Sequence, residues 1–174
     1  MAEIFLAEFE AQAPVTRRFL ERLPEDKLTW KPHAKSMTAG QLAFHLATVP
    51  GGVVHLLQGE SAAPPDFSVR PQPGSCGEVL RALDESVATV RTLLPKMDDG
   101  RMRGIFRFVA GEQEIMALPR EAFLRNIMLN HWYQHRGQFS VYLRLLGIAV
   151  PASWGPSADE APVFARQAGA GVAR

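Results

Sequence analysis

Cysteine is nearly absent from this chain. Cys76 is the only one, so no internal disulfide can form, and a lone thiol suits a reducing compartment. Long apolar runs are missing too. No stretch approaches the roughly 18 residues that a membrane-spanning helix needs. The opening MAEIFLAEFE carries acids inside its apolar stretch and no cationic lead, so no secretory signal peptide is expected. Neither sign of charge dominates. The 19 Lys and Arg are balanced by 18 Asp and Glu, a net charge of +1, with no basic run or one-sided stripe of the kind that holds nucleic acid. These absences predict a soluble cytoplasmic protein with no nucleic-acid or membrane partner.

Apolar residues, in contrast, make up 47% of the 174 positions, enough for one globular domain with a buried core. That domain is expected over residues 1–160. Residues 161–174, ending GAGVAR, read as a flexible tail.

Periodicity predicts four long helices. The first runs from about 2 to 22, with Phe5, Phe9, Thr16, Phe19 and Leu23 on one stripe and Pro14 expected to kink or divide it. A loop over 24–36 holds Trp30 and His33. Thr38 and Gln41 have the spacing of a capping box, which starts the second helix. Its stripe is Leu42, His45, Leu46, Val49, Val53 and Leu56, with a bend expected at Pro50-Gly51-Gly52. Residues 60–74, with four prolines, form a long connection. Ser75 and Glu78 cap the third helix, whose stripe is Leu80, Leu83, Val87, Val90 and Leu94. Ile105–Val109 and Glu112–Leu118, separated by Ala110-Gly111, read as a short hairpin. The last helix starts at Pro119 and ends at Gly147. Its inward stripe is Leu124, Ile127, His131, His135, Gln138, Tyr142 and Leu145. The expected fold is all-α, a four-helix bundle with a β-hairpin inserted before the last helix.

The five histidines are not equivalent. His131 and His135 stand four apart, one turn apart on one helix face, on a stripe otherwise apolar. A core is a costly place for two imidazoles without partners, and a metal ion is one such partner. An H-x-x-x-H pair is weakly specific, since satisfied core or interface histidines share the pattern. His45, on the apolar side of its helix, is the natural third ligand. Three neutral imidazoles leave a coordination position open, the pattern of catalytic zinc, and one that also suits nickel, iron or manganese. His33 reads as solvated or capping, and His55 as surface or pocket rim. Trp132 stands where a zinc protease has its glutamate, so the usual general base is missing.

Two segments, LTWKPHAKSMTAGQLAFHLA (28–47) and NHWYQHRGQFSVYLRLLGIAVPASWGPSADE (130–160), resemble the DinB/YfiT-like family of damage-inducible helical proteins. The likeness covers about residues 3–160. It implies a four-helix bundle holding a divalent metal, zinc or nickel before iron or manganese, on positions matching His45, His131 and His135. It also implies a homodimer. Relatives with an assigned activity include thiol-dependent transferases and isomerases that use bacillithiol, mycothiol or glutathione, and many members have no assigned substrate. Gln134 stands where some members carry another histidine, and Trp154 where many carry tyrosine.

The leading expectation is a metal-dependent enzyme of thiol-dependent transferase or hydrolase type, acting on a small molecule with a low-molecular-weight thiol as cosubstrate. Gln138, one turn beyond His135, is the candidate for orienting a ligand ring. Trp30 is a pocket candidate, with core packing as its rival role. Arg136 reads as an ion-pair or dimer-contact residue. Cys76, at a helix start, reads as an ordinary capping-turn cysteine, with an activated thiolate as the rival. The alternative to an enzyme is a metal-binding, stress-induced interaction protein.

Overall fold

A computed structural model of the chain describes residues 1–161, so most of the expected tail lies outside the described residues. The fold is mostly helical with a small three-stranded sheet. Helix α1 spans Ala2–Leu20, α2 Ala39–Leu56 and α3 Cys76–Leu93. A short α4, Asp99–Arg103, leads into strands β2, Ile105–Ala110, and β3, Gln113–Pro119; β1 is the two-residue strand Ser61–Ala62 that precedes α3. One turn of helix, α5 at Arg120–Phe123, continues through a π-helical stretch at Leu124–Asn130 into α6, His131–Leu145. No helix among the described residues is long and apolar enough to cross a membrane.

The capping expectations for α2 hold. Thr38 Oγ1 accepts from the Gln41 amide at 3.1 Å, and Gln41 Oε1 accepts from the Thr38 amide at 3.0 Å. Ser75 Oγ likewise accepts from the Glu78 amide. The hairpin turns at Gly111, whose φ of +61° suits a residue without a Cβ. It carries one strand more than expected: β1 pairs parallel with β2, Ser61 opposite Arg107 and Ala62 opposite Phe108. Two residues are too few to show a period in sequence. Phe106, Phe108 and Phe123 pack edge-on in a cluster that joins β2 to α5. Arg120, 2% exposed, ties this end to α2 by donating to the carbonyls of Leu57 at 3.1 Å and Gly59 at 2.7 Å.

The helix stripes differ from expectation in a consistent way. In α2 the buried set is Leu42, Ala43, Leu46, Ala47, Pro50 and Val54, while His45, Val49, Val53 and Leu56 are only half-buried. In α6 the buried residues are Trp132, Arg136, Phe139, Tyr142 and Leu143; His131, His135 and Gln138 lie half-buried beside them, and Leu145 is 60% exposed. The π-helical stretch adds one residue to the turn, so the buried positions Leu124 and Leu129 are five apart and the face rotates before α6 begins. The histidines therefore flank the core rather than fill it.

Neither internal proline breaks its helix. Pro14 sits inside a continuous α1 and Pro50 inside a continuous α2. Pro50 has no N–H, so the Leu46 carbonyl, four residues earlier, loses its helical donor. The indole Nε1–H of Trp132 donates to that carbonyl at 2.8 Å. Next to it, the Gly51 amide donates to Ser86 Oγ at 2.7 Å, and a Cβ at Gly51 would lie 2.8 Å from Ser86 Cα. The glycine lets α2 and α3 approach this closely. Trp132→Phe leaves a buried carbonyl unpaired and is expected to cost about 1–3 kcal/mol. Pro50→Ala returns an N–H to the same carbonyl. The double variant should then lose less stability than the two single losses sum to, as urea unfolding measures; strict additivity would overturn the account.

Candidate metal centre

His45 projects from α2, and His131 and His135 from the first turn and a half of α6. The three rings meet edge-on, with centroids 4.4 Å apart for His131–His135, 4.8 Å for His45–His135 and 5.2 Å for His45–His131. One nitrogen from each ring lies within 4.8 Å of the others, a group able to hold a metal ion. Its donors are all imidazole, with no carboxylate.

The proton positions test whether a cation fits. His135 Nδ1 lies 2.8 Å from Gln138 Oε1, an oxygen that only accepts, so Nδ1 carries the hydrogen and Nε2 presents its lone pair. His131 Nε2 faces that lone pair at 2.8 Å. His131 Nδ1 is buried without a hydrogen-bond partner. A hydrogen on His131 Nε2 would satisfy this contact but leave the buried Nδ1 an unpaired acceptor, whereas a cation between the two rings would take both lone pairs and let Nδ1 carry the hydrogen. Nitrogens bound tetrahedrally at about 2.1 Å stand about 3.4 Å apart, so the pair needs only slight splaying to hold an ion such as zinc. The donor set fits.

Burial disfavours the protonated form of two of the donors. Burial lowers the His45 pKa to about 4, helped by the positive fields of His135, His131 and Arg70. Burial and then the His135 field also lower that of His131.

A pocket of about 80 Å³ opens beside His45, lined by Gln41, Phe44, Thr48, Val69 and Arg70 among others. Sequence reasoning passed over Gln41 except as a cap, and over Thr48, Val69 and Arg70 entirely. The last two lie in the stretch read as mere connection, where a cation among apolar residues and prolines was the available signal. Trp30 lies apart from the lining residues and packs edge-on to Tyr142 at 5.6 Å.

The remaining histidines are elsewhere. His33 is exposed and its Nδ1 accepts from the Lys35 amide at 3.2 Å, while His55 is exposed on a shallow groove between α2 and α3. Arg136 is neither exposed nor ion-paired. It is 3% exposed and donates to Gln12 Oε1 at 2.8 Å and Thr16 Oγ1 at 3.2 Å. The activated-thiolate role for Cys76 is overturned. Burial and Glu25 push its pKa up to about 12, and its thiol donates to the Leu23 carbonyl.

Comparison with known proteins supplies the context. The model of the DinB family matches residues 1–167. An uncharacterized protein of Bacillus subtilis (strain 168), YrdA, is 26% identical over 165 residues, 94% of each chain. A DinB-like protein from Bacillus cereus ATCC 10987 superposes with a TM-score of 0.69 at 23% identity, over 87% of this chain and 97% of its own. A second, YjoA from Bacillus subtilis, gives 0.66 at 18% identity, over 85% and 96%.

Two outcomes are expected. Gln138→Leu frees the His135 ring and should weaken metal affinity about 10–100-fold, read by competition with a chelator; unchanged affinity would show that Gln138 orients nothing. For metal-free protein, the fold favours neutral His45 whereas the unfolded chain titrates near histidine's ordinary value of 6.5. Protons then favour the unfolded chain, so stability should fall as pH drops from about 6.5 toward 4. His45→Gln should flatten that slope in urea titrations, and an identical slope would refute the assignment.

Proposed function

The chain belongs to the DinB family, and on that premise we propose that it is a metal-dependent enzyme, of thiol-dependent transferase or hydrolase type, using one divalent ion held by His45, His131 and His135. The observation that carries this is the confrontation of His131 and His135 Nε2 at 2.8 Å, with His45 closing the group and no carboxylate in it. A divalent ion, when bound, supplies a lowered pKa for a coordinated water or thiol, and so a nucleophile near neutral pH.

The chain's own groups prepare that chemistry. Gln138 holds the hydrogen of His135 on Nδ1, so Nε2 faces inward. Burial keeps His45 and His131 unprotonated and thus available as donors. The pocket beside His45 gives a small molecule access to one side of the group, and Phe44 and Val69 supply apolar surface there. With no carboxylate among the three donors, the nucleophile comes from outside, as water or as a low-molecular-weight thiol. Zinc or nickel suits three imidazoles best, ahead of iron or manganese.

The contacts of α1, α2, α3 and α6 around one core support reading the fold as a four-helix bundle. The same reading includes a cytoplasmic homodimer. Val141 and Leu145, 55% and 60% exposed one turn apart on α6, are its candidate contact.

Protein purified without added metal should carry about one divalent ion per chain, and His45→Ala with His131→Ala should reduce this to background. Unchanged metal content would sink the proposal. Metal-loaded protein should turn over an electrophile with at least one of bacillithiol, mycothiol or glutathione, or with water. Metal-bound but inert protein across that panel would favour a non-enzymatic metal-binding role instead.

A further inference from the structure

Of the thirteen arginines among the described residues, most are ion-paired to Asp or Glu, among them Arg17, Arg18, Arg107, Arg120, Arg125 and Arg144. Arg70 is not. It is exposed, and its one side-chain hydrogen bond is a long one, Nε to the Phe67 carbonyl at 3.4 Å. Its terminal nitrogens have no protein acceptor among the described residues. No carboxylate lines the pocket that Arg70 borders.

The placement is built rather than incidental. Gln41, which closes the capping box of α2, turns its Nε2 to the Arg70 carbonyl at 3.0 Å. Thr38 Oγ1, the other half of that box, donates to Gln72 Oε1 at 2.6 Å, and Gln72 Nε2 donates to the Leu28 carbonyl at 3.3 Å. Residues 70–72 are thus strapped to the start of the helix that carries His45. Arg70 lies near enough for its charge to act on His45. Beside it, Val69 is 65% exposed, and Phe44 is half-buried in the pocket wall.

We propose that Arg70 and the pocket beside His45 form a binding site for a small molecule bearing a carboxylate, with the anionic group on Arg70 and an apolar portion on Phe44 and Val69. An uncompensated guanidinium pairs with a carboxylate through two parallel N–H donors. Phe44 and Val69 offer apolar surface for the rest of the molecule to cover. This deepens the proposed function by naming its substrate class, and it rests on that function only for what lies next to the bound molecule. The anion site itself needs no metal.

The test uses phenylacetate and its neutral isostere phenylacetamide as probes, titrated calorimetrically into zinc-loaded and metal-free forms of wild-type protein and of Arg70→Gln. The substitution keeps the backbone carbonyl that Gln41 holds, and circular dichroism checks its fold. Wild type should bind phenylacetate in both forms, and Arg70→Gln should bind it about tenfold more weakly, the loss of one charge-assisted hydrogen bond. Phenylacetamide should bind the two proteins alike. Equal phenylacetate affinity in both proteins overturns the proposal, as does a wild type that binds neither probe or does not distinguish them. Metal content is measured on the same samples. An Arg70-dependent preference in protein that takes up no zinc would refute the metal centre and keep the anion site. A zinc-loaded protein without the preference would do the reverse.

Discussion

The hydrogen bond from the Trp132 indole to the Leu46 carbonyl sets the relation between the two helices that make the site. Pro50 creates the vacancy by withholding an N–H, and Trp132 fills it from the other helix. His45 immediately precedes Leu46, and His131 immediately precedes Trp132. The contact that registers α2 on α6 is therefore one residue from a donor on each side. A turn of rotation in either helix would leave the indole without its acceptor and separate the rings. Gly51 supports the same register from the far side of α2, because its missing Cβ lets Ser86 close on it.

Helix α6 carries polar groups on two faces and satisfies them differently. On one face Arg136 is buried as a cation without a carboxylate. Burial pulls its pKa down to about 10, and the neutral acceptors of Gln12 and Thr16 on α1 compensate. Tyr133, between the faces, donates to Glu8, which also holds Arg125 through two bonds of 2.9 and 2.8 Å. These contacts fasten the helix to α1. On the other face the Nε2 atoms of His131 and His135 meet, with Gln138 behind His135 and the His45 ring edge-on to both. The unsatisfied nitrogens thus concentrate at one place, where a cation resolves them.

The helix caps, the element types and the His131–His135 pair were legible because each depends on residues near one another in sequence, whereas His45, far from that pair in the chain, joined it mainly through the family resemblance. Thr38 with Gln41, Ser75 with Glu78, and the four-residue spacing of His131 and His135 are local patterns. The helix faces were less legible. A strict helical period places His131 and His135 in the core, and the π-helical turn at 124–130, invisible to that period, rotates them to its edge. Strand β1 is too short to announce itself. Pro14 read as a kink or division and Pro50 as a bend, yet both helices are continuous, and at Pro50 a tertiary partner, Trp132, takes up the carbonyl that the proline releases. Arg136 read as an ion-pair or dimer-contact residue because its acceptors, Gln12 and Thr16, are more than a hundred residues away.

Charge shows the same division between local and global. With 19 basic and 18 acidic residues nearly cancelling, composition predicts no surface that attracts nucleic acid. A sum over the chain says nothing of a site a few ångströms wide. Where most arginines are paired off, the pocket beside His45 combines an unpaired guanidinium with donors that bring no negative charge. Three neutral imidazoles leave an ion's charge undiminished toward its open side, in contrast to a carboxylate-rich ligand set. Both features would favour an anion within the same few ångströms. A nucleophile at a bound ion and a carboxylate on Arg70 would share one local field, in a protein whose overall charge gives no sign of it.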